Sequence, residues 1–370
     1  MVLKQVLFFL FILLLASCIE PYDFVVVATE PTLVIEAFVS DQSFDDTILY
    51  PSDGRYFTVN LSEAGNVTNS RATPVSYAIV RLMSDEGDTW QYTESDPIDT
   101  PGRYLLLDHD FKANENVRYK IQVTLAGDDS YESSWERMPT AQEPVMGEIG
   151  FAETDVLSYD IEFGKQIITT VRGITANIQL PKNNESETIY YRWKFTPMWI
   201  YVAPLSRSVV LPGFRCWISN DVYLKDYAIQ ADAAGGYSKD LFFLPTVRNA
   251  RIFEDFTVLI SQQTMTEPYY FYWKEMQEQT KAGAIFDAPP FNLHSNFVAT
   301  NGSGKVVGYF GVVREQARRW YFNDKDLSYF VENALKADCS VPFQDIAPEC
   351  FDCREYSFGD PVNVKPSWWR

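Results

Sequence analysis

The sequence predicts a mainly β protein: an N-terminal immunoglobulin-like β-sandwich followed by a larger β-rich domain with one or two short helices. Three observations predict it: apolar and polar residues alternate with period two, short turn signals separate the alternating runs, and helix-period stretches are nearly absent. In Leu33-Val34-Ile35-Glu36-Ala37-Phe38-Val39 the odd positions share one face and Glu36 marks the other. Tyr119-Lys120-Ile121-Gln122-Val123-Thr124 alternates more cleanly, and 75–83, 89–93 and 104–107 supply strands between. Asp85-Glu86-Gly87-Asp88, Pro101-Gly102 and Ala126-Gly127-Asp128 punctuate them as turns. Short antiparallel strands at this spacing indicate a sandwich over residues 31–140, with no helix expected before residue 140.

The Pro-bounded run Met138-Pro139-Thr140-Ala141-Gln142-Glu143-Pro144 is the expected joint, with a second domain over 145–370. Its long strands are expected at 166–180, 188–199 and 256–261. A helix is expected over 269–280, where Pro268 sits at a start that needs no N–H and Gly283 lies past the end. A second, shorter helix is expected over 326–337.

The N-terminus has a different character. Lys4 precedes a run of Val, Leu, Phe and Ile that ends in Leu15-Ala16-Ser17-Cys18. A charged start, a short apolar core and small residues before a cysteine make a lipoprotein signal peptide over residues 1–17, cut before a lipidated Cys18. The apolar run is shorter than the roughly 20 residues that span a bilayer core of about 30 Å. Residues 18–30 read as a lipidated tether, and Glu20 and Asp23 behind the cysteine resemble a surface-export signal. Several acyl chains on one cysteine suffice for stable anchoring. The localisation expected is the outer membrane, lipid-anchored and facing the cell exterior.

Of 370 residues, 46% are hydrophobic, enough for a packed core, and the formal net charge is −19. That balance argues against nucleic acid or an anionic lipid surface as a partner. Beyond Cys18 the cysteines are Cys216, Cys339, Cys350 and Cys353. An exported chain with four cysteines is expected to form two disulfides, and three pairings are open. The rival is a four-thiolate zinc site, which the Cys350-Phe351-Asp352-Cys353 spacing permits. Three of the four lie near the C-terminus, so the bridges are expected to pin the tail to the body near Cys216.

Catalytic signatures are sparse. The two histidines, His109 in an Asp-His-Asp turn and His294 after Asn292-Leu293, are more economically read as loop residues. There is no serine elbow, zinc-protease helix or phosphate loop. Asp41, Asp45 and Asp46 cluster but lack the spacing of a calcium loop. Asp46-Thr47-Ile48 resembles a bacterial O-glycosylation triplet. No enzyme activity, cofactor or metal is expected. Aromatics make up 15% of the chain and bunch at 190–193, 269–273, 320–322 and 368–369. Most are expected in the core, with Trp368-Trp369 docked on the protein's own body.

The C-terminal half carries ordered motifs: Tyr190-Tyr191-Arg192-Trp193-Lys194, Tyr272-Trp273, Gly283-Ala284-Ile285-Phe286-Asp287-Ala288-Pro289-Pro290, Ser295-Asn296-Phe297 and Val307-Gly308-Tyr309-Phe310-Gly311. Pro31-Thr32-Leu33-Val34-Ile35-Glu36-Ala37, Met138-Pro139, Cys350-Phe351-Asp352-Cys353 and Val364-Lys365-Pro366-Ser367-Trp368-Trp369 complete the set. Together they resemble the Bacteroidetes outer-membrane lipoproteins grouped as domain of unknown function 4249. Ser295 where a Gly is expected, and Trp368-Trp369 in place of Phe-Trp, are mild departures. The resemblance implies a partner of a TonB-dependent outer-membrane barrel, and it supplies no catalytic residues. The function expected is that of a non-enzymatic surface binding or accessory protein for an unknown nutrient ligand. The alternatives are a structural or assembly subunit of an outer-membrane complex and, third, a glycan or peptide hydrolase. Loops of the second domain near Tyr269, Tyr272, Trp273 and His294 are the expected contact surface.

Overall fold

The computed structural model describes residues 32–64, 72–141, 144–162, 165–183, 187–224, 227–281, 293–302, 304–342 and 346–370. Cys18, the expected signal peptide and tether, and the 283–290 stretch lie outside the described residues. The chain is mainly β, as its alternation predicts. Before the joint come β1 (Thr32–Ser40), β2 (Phe57–Glu63), β3 (Thr73–Pro74), β4 (Ile79–Ser84), β5 (Thr89–Gln91), β6 (Thr93–Asp96), β7 (Thr100–Leu106), β8 (Tyr119–Thr124) and β9 (Ser130–Ser133). After it come β10 (Ile149–Glu162), β11 (Lys165–Gln179), β12 (Ile189–Val202), β13 (Arg215–Ser219), β14 (Ala228–Asp232), β15 (Ser238–Pro245), β16 (Phe256–Met265), β17 (Phe297–Asn301), β18 (Lys305–Phe322) and β19 (Asp360–Val362). The described α-helices are α1 (Phe44–Ile48), α2 (Glu267–Lys281) and α3 (Ala334–Asp338).

Eleven strands form one sheet, ordered β19-β13-β12-β16-β18-β1-β2-β7-β6, with β14 against β12 and β3 against β2. β18 is its spine. It pairs parallel with β1 from Thr32↔Lys305 to Ser40↔Val313, then antiparallel with β16 from Thr264↔Arg314 to Phe256↔Phe322. The sheet therefore runs unbroken from the first third of the chain into the last. One of its faces is covered twice. The five-stranded sheet β17-β9-β8-β4-β5 packs on the β1-β2-β7 end around Ile35, Val59, Tyr104, Ile121 and Phe310. The three-stranded sheet β10-β11-β15 packs on the β12-β16 end around Ile174, Trp193, Leu244, Ile260 and Phe322. The joint at 138–144 separates these two covering sheets, and β17 brings residues from beyond 296 into the first of them.

Alternation explains the layering. On β18 the even residues Phe310, Val312 and Phe322 enter the two covered cores, while Tyr309 and Val313 point to the other face and pack beneath α2. Covered on both faces, residues 308–313 are buried in succession. Two glycines of the Val307–Gly311 motif make that geometry feasible. Gly308 sits at φ +128° with the Ile35 carbonyl where a β-carbon would lie, and Gly311 leaves room for the Tyr269 ring.

Two elements depart from expectation. The short helix α1 precedes residue 140, because Ser43 and Asp46 form a capping box in which each side chain binds the other's backbone N–H. The helix expected over 326–337 is instead a 3₁₀ turn at Asp324–Asp326 and the short α3. Glu153 breaks it: its carboxylate accepts from both the backbone N–H and the hydroxyl of Ser328, at 2.6 Å each.

The cysteines form two disulfides, Cys216–Cys353 and Cys339–Cys350, which excludes the zinc alternative. Only the first pins the tail to the body. The second closes a loop with a sequence separation of 11 within the tail itself. β19 pairs with β13 next to the first bridge, and Trp369 is buried against Trp217 and Tyr321. The terminal tryptophans dock on the protein's own body.

Candidate functional site

The open face of the main sheet carries the site. On β12 the odd residues Tyr191, Trp193, Phe195 and Trp199 fill the covered core, so Arg192, Lys194, Thr196 and Met198 must face the other way. Helix α2 covers one end of this face, with Tyr269 and Tyr272 packed on Tyr309 at centroid distances of 5.0 and 5.5 Å. Beyond the helix lies a cleft of about 350 Å³, walled by Phe38, Arg55, Lys194, Glu315, Arg319 and Trp368 among others. A chamber of about 110 Å³ shares Phe38 and Lys194 with it and continues under α2, to Glu36, Arg192, Tyr269, Tyr272 and Trp273.

Most charges around the cleft are matched. Glu315, only 4% exposed, accepts from Arg55 Nη2 at 2.7 Å. Its backbone N–H donates to Asp41, whose carboxyl burial pushes up in pKa. Arg319 donates through Nε to the Pro51 carbonyl and lies 3.7 Å from the centroid of the Trp368 ring. Burial lowers its pKa to about 10. Trp368 in turn donates to Asp53 Oδ1 at 2.8 Å, so the end of the chain forms one wall.

Lys194 is the exception. It lies opposite Ser261 in the β12–β16 ladder. Among the described residues its Nζ has no hydrogen bond or ion pair, only the Phe38 ring at 5.6 Å. The residue is exposed by surface area, and the space it faces is the cleft. Burial, and then the charges of Arg192 and Arg55, bring its pKa down to about 8; Glu315 and Asp221 oppose them.

Arg192 is buried under α2 with its guanidinium carbon 3.3 Å from the Trp273 ring centroid and 5.0 Å from that of Tyr227. Its Nη1 reaches Gln263 Oε1 at 3.5 Å, and its Nε has no partner among the described residues. Aromatic faces replace an anion here, and burial lowers the pKa of this arginine.

Tyr269, Tyr272 and Trp273 thus meet at one place, but not as the exposed loop surface the sequence suggested. Both tyrosines are 2% exposed, because the helix that bears them lies across the sheet. They wall the inner chamber instead. His294 is not with them: it is exposed and pairs with Glu275 through its backbone N–H and Nδ1. His109 bonds Tyr56 at 2.6 Å on the surface. The acids at 41, 45 and 46 serve capping and pairing, and no three His, Cys, Asp or Glu among the described residues converge to hold a metal. Thr47 is 5% exposed and its hydroxyl donates to the Phe44 carbonyl, so the acceptor threonine of the glycosylation triplet is buried.

The family model described as Domain of unknown function (DUF4249) matches residues 19–319. The chain belongs to this family. No curated protein and no solved structure matches it. The matched range of the DUF4249 chain takes in Arg55, Lys194, Glu315 and Arg319, but the Trp368 wall lies past its end. Sequence reading passed over Lys194, Arg55, Glu315 and Arg319 as site residues. The signal available was Arg192 and Lys194 on the even face of a strand whose odd face is mostly aromatic.

Proposed function

We propose that this DUF4249 chain is a non-enzymatic, lipid-anchored binding protein on the outer face of the outer membrane. In this reading it partners a TonB-dependent barrel in nutrient uptake. The observation that carries it is the cleft on the open sheet face, whose lysine makes no ion pair among the described residues. The lipobox at Cys18 and two disulfides suited to an oxidising compartment support the location. A lipid tether would hold cleft and barrel at high effective concentration, so modest contacts suffice. The test is affinity purification of the tagged chain from native membranes. A co-purifying barrel and an acylated Cys18 in the mass spectrum are expected; a thiol left unmodified, or no barrel, overturns the reading.

One observation favours the second reading, an assembly subunit. β15 pairs with β11 only over Gly173–Gln179, so the far part of the β10–β11 hairpin is a bare two-stranded ribbon. Its Leu157, Tyr159, Ile161 and Ile168 are each more than 60% exposed on one face. A barrel-free complex captured through this ribbon would favour it.

A further inference from the structure

Resting on the reading of the cleft as a ligand site, we infer that it takes a small organic acid. The carboxylate is met by Lys194 and the apolar body by Phe38, Leu259 and Trp368. Charge makes the first argument. In a chain of net charge −19, a cation lining a cleft is expected to find a carboxylate from its own protein. The nearby Glu315 is held by Arg55, and Asp53 by Trp368. Asp221 lines the cleft and its charge favours the ammonium, but it forms no ion pair with Lys194. An ammonium that lines a cleft without an ion-pair partner is open to a charge-assisted bond from an incoming anion.

Valence makes the second. The other two cations are engaged: Arg55 Nη2 binds Glu315 and Ser40, and Arg319 binds Pro51 and stacks on Trp368, while the Nη1 of each, unpartnered among the described residues, is buried out of contact with solvent. One free ammonium matches a monoanion. A phosphate dianion calls for several free donors or an arginine fork. Shape makes the third. About 350 Å³ falls at the small end of ligand pockets, which run from about 300 Å³ upward, and its wall is part aromatic and aliphatic.

Calorimetric titration of the mature chain at pH 7 with benzoate, benzyl alcohol, benzylamine and phenyl phosphate tests the inference. Benzoate is expected to bind at least about tenfold tighter than the alcohol or the amine and no weaker than phenyl phosphate, the scale of one charge-assisted bond. Lys194→Met is expected to erase the preference for benzoate and Lys194→Arg to retain part of it. In the unmutated chain, benzoate is expected to slow reductive methylation of Lys194 but not of the exposed Lys274. Equal affinity for benzoate and benzyl alcohol, tighter binding of benzylamine or phenyl phosphate, or unslowed methylation of Lys194 overturns the ligand class and leaves the cleft reading standing. No heat with any of the four probes overturns both.

Discussion

Asn296 completes the hydrogen bonding of Phe310 with its side chain. Its Oδ1 accepts from the Phe310 N–H and its Nδ2 donates to the Phe310 carbonyl, both at 2.9 Å. Nδ2 also reaches Glu136 Oε1 at 3.0 Å, and the Asn296 carbonyl accepts from Ser134. One amide thus ties β18 to the start of β17 and to the chain that follows β9.

Asn296→Ala leaves a backbone N–H and C=O at a fully buried residue without these partners. Each unsatisfied buried group costs about 1–3 kcal/mol. Urea unfolding should lose about 2–4 kcal/mol, and the Phe310 amide should lose most of its hydrogen-exchange protection. Asn296→Asp keeps the acceptor but turns a carboxylate oxygen toward Glu136 and the Phe310 carbonyl, so it should cost at least as much at neutral pH. A change under about 0.5 kcal/mol for the alanine variant would show the bonds to be replaceable by water.

The two glycines of β18 separate by a double-mutant cycle. Gly308→Ala drives a β-carbon into the Ile35 carbonyl at a positive φ, a backbone clash with no flexible neighbour to yield. Gly311→Ala instead meets the Tyr269 ring. Both should cost more than about 2 kcal/mol, the range of overpacked cores. In a Tyr269→Ala background the Gly311→Ala cost should largely vanish while that of Gly308→Ala persists.

The two disulfides should contribute unequally. Chain-entropy arguments give about 5 kcal/mol for a loop of 137 residues and about 3 kcal/mol for one of 11. The pair Cys216→Ser with Cys353→Ser should therefore lower the melting temperature more than Cys339→Ser with Cys350→Ser. It should also free the C-terminal segment to proteolysis, since β19 and Trp369 dock next to that bridge. Equal losses would locate the tail's attachment elsewhere.

What was legible in the sequence followed from short-range physics. Period-two alternation in β1 and β8 marks their faces directly, because each has one face toward a core. The α2 helix is legible from Pro268 near its start and Gly283 past its end. β18 is not, because cover on both faces erases the alternation and its partners lie on average far away in sequence. The same holds for the cleft. Lys194, Arg55 and Glu315 come from β12, the loop before β2 and β18, and only strand order brings them together. The tyrosines of α2 were recognised as aromatic, but the face they turn to the sheet depends on Gly311, over forty residues away.

Lys194 links the cleft to pH. Its pKa is about 8 in the folded chain against an ordinary value of 10.5. Below pH 8 both folded and unfolded chains carry the proton, and the folded chain bears the full cost of the charge in the cleft. Between about pH 8 and 10.5 the unfolded chain binds a proton that the folded chain has released, so stability at this position rises with pH. Arg192 and Arg55 strengthen the effect; Glu315 and Asp221 weaken it. The tyrosines raised by burial oppose it at the alkaline end, and they cancel when two variants are compared at each pH. The unfolding free energy of Lys194→Met minus that of the unmutated chain should therefore be largest at pH 7 and shrink steadily toward pH 10.5. Lys194→Arg, charged throughout, does not titrate in this window either, so its difference should fall by the same amount while starting lower, because the arginine still bears the cost of the charge. A difference for Lys194→Met that stays flat across this window would mean that the ammonium is hydrated as fully as one on the open surface, and the cleft would lose its claim to an unmatched charge.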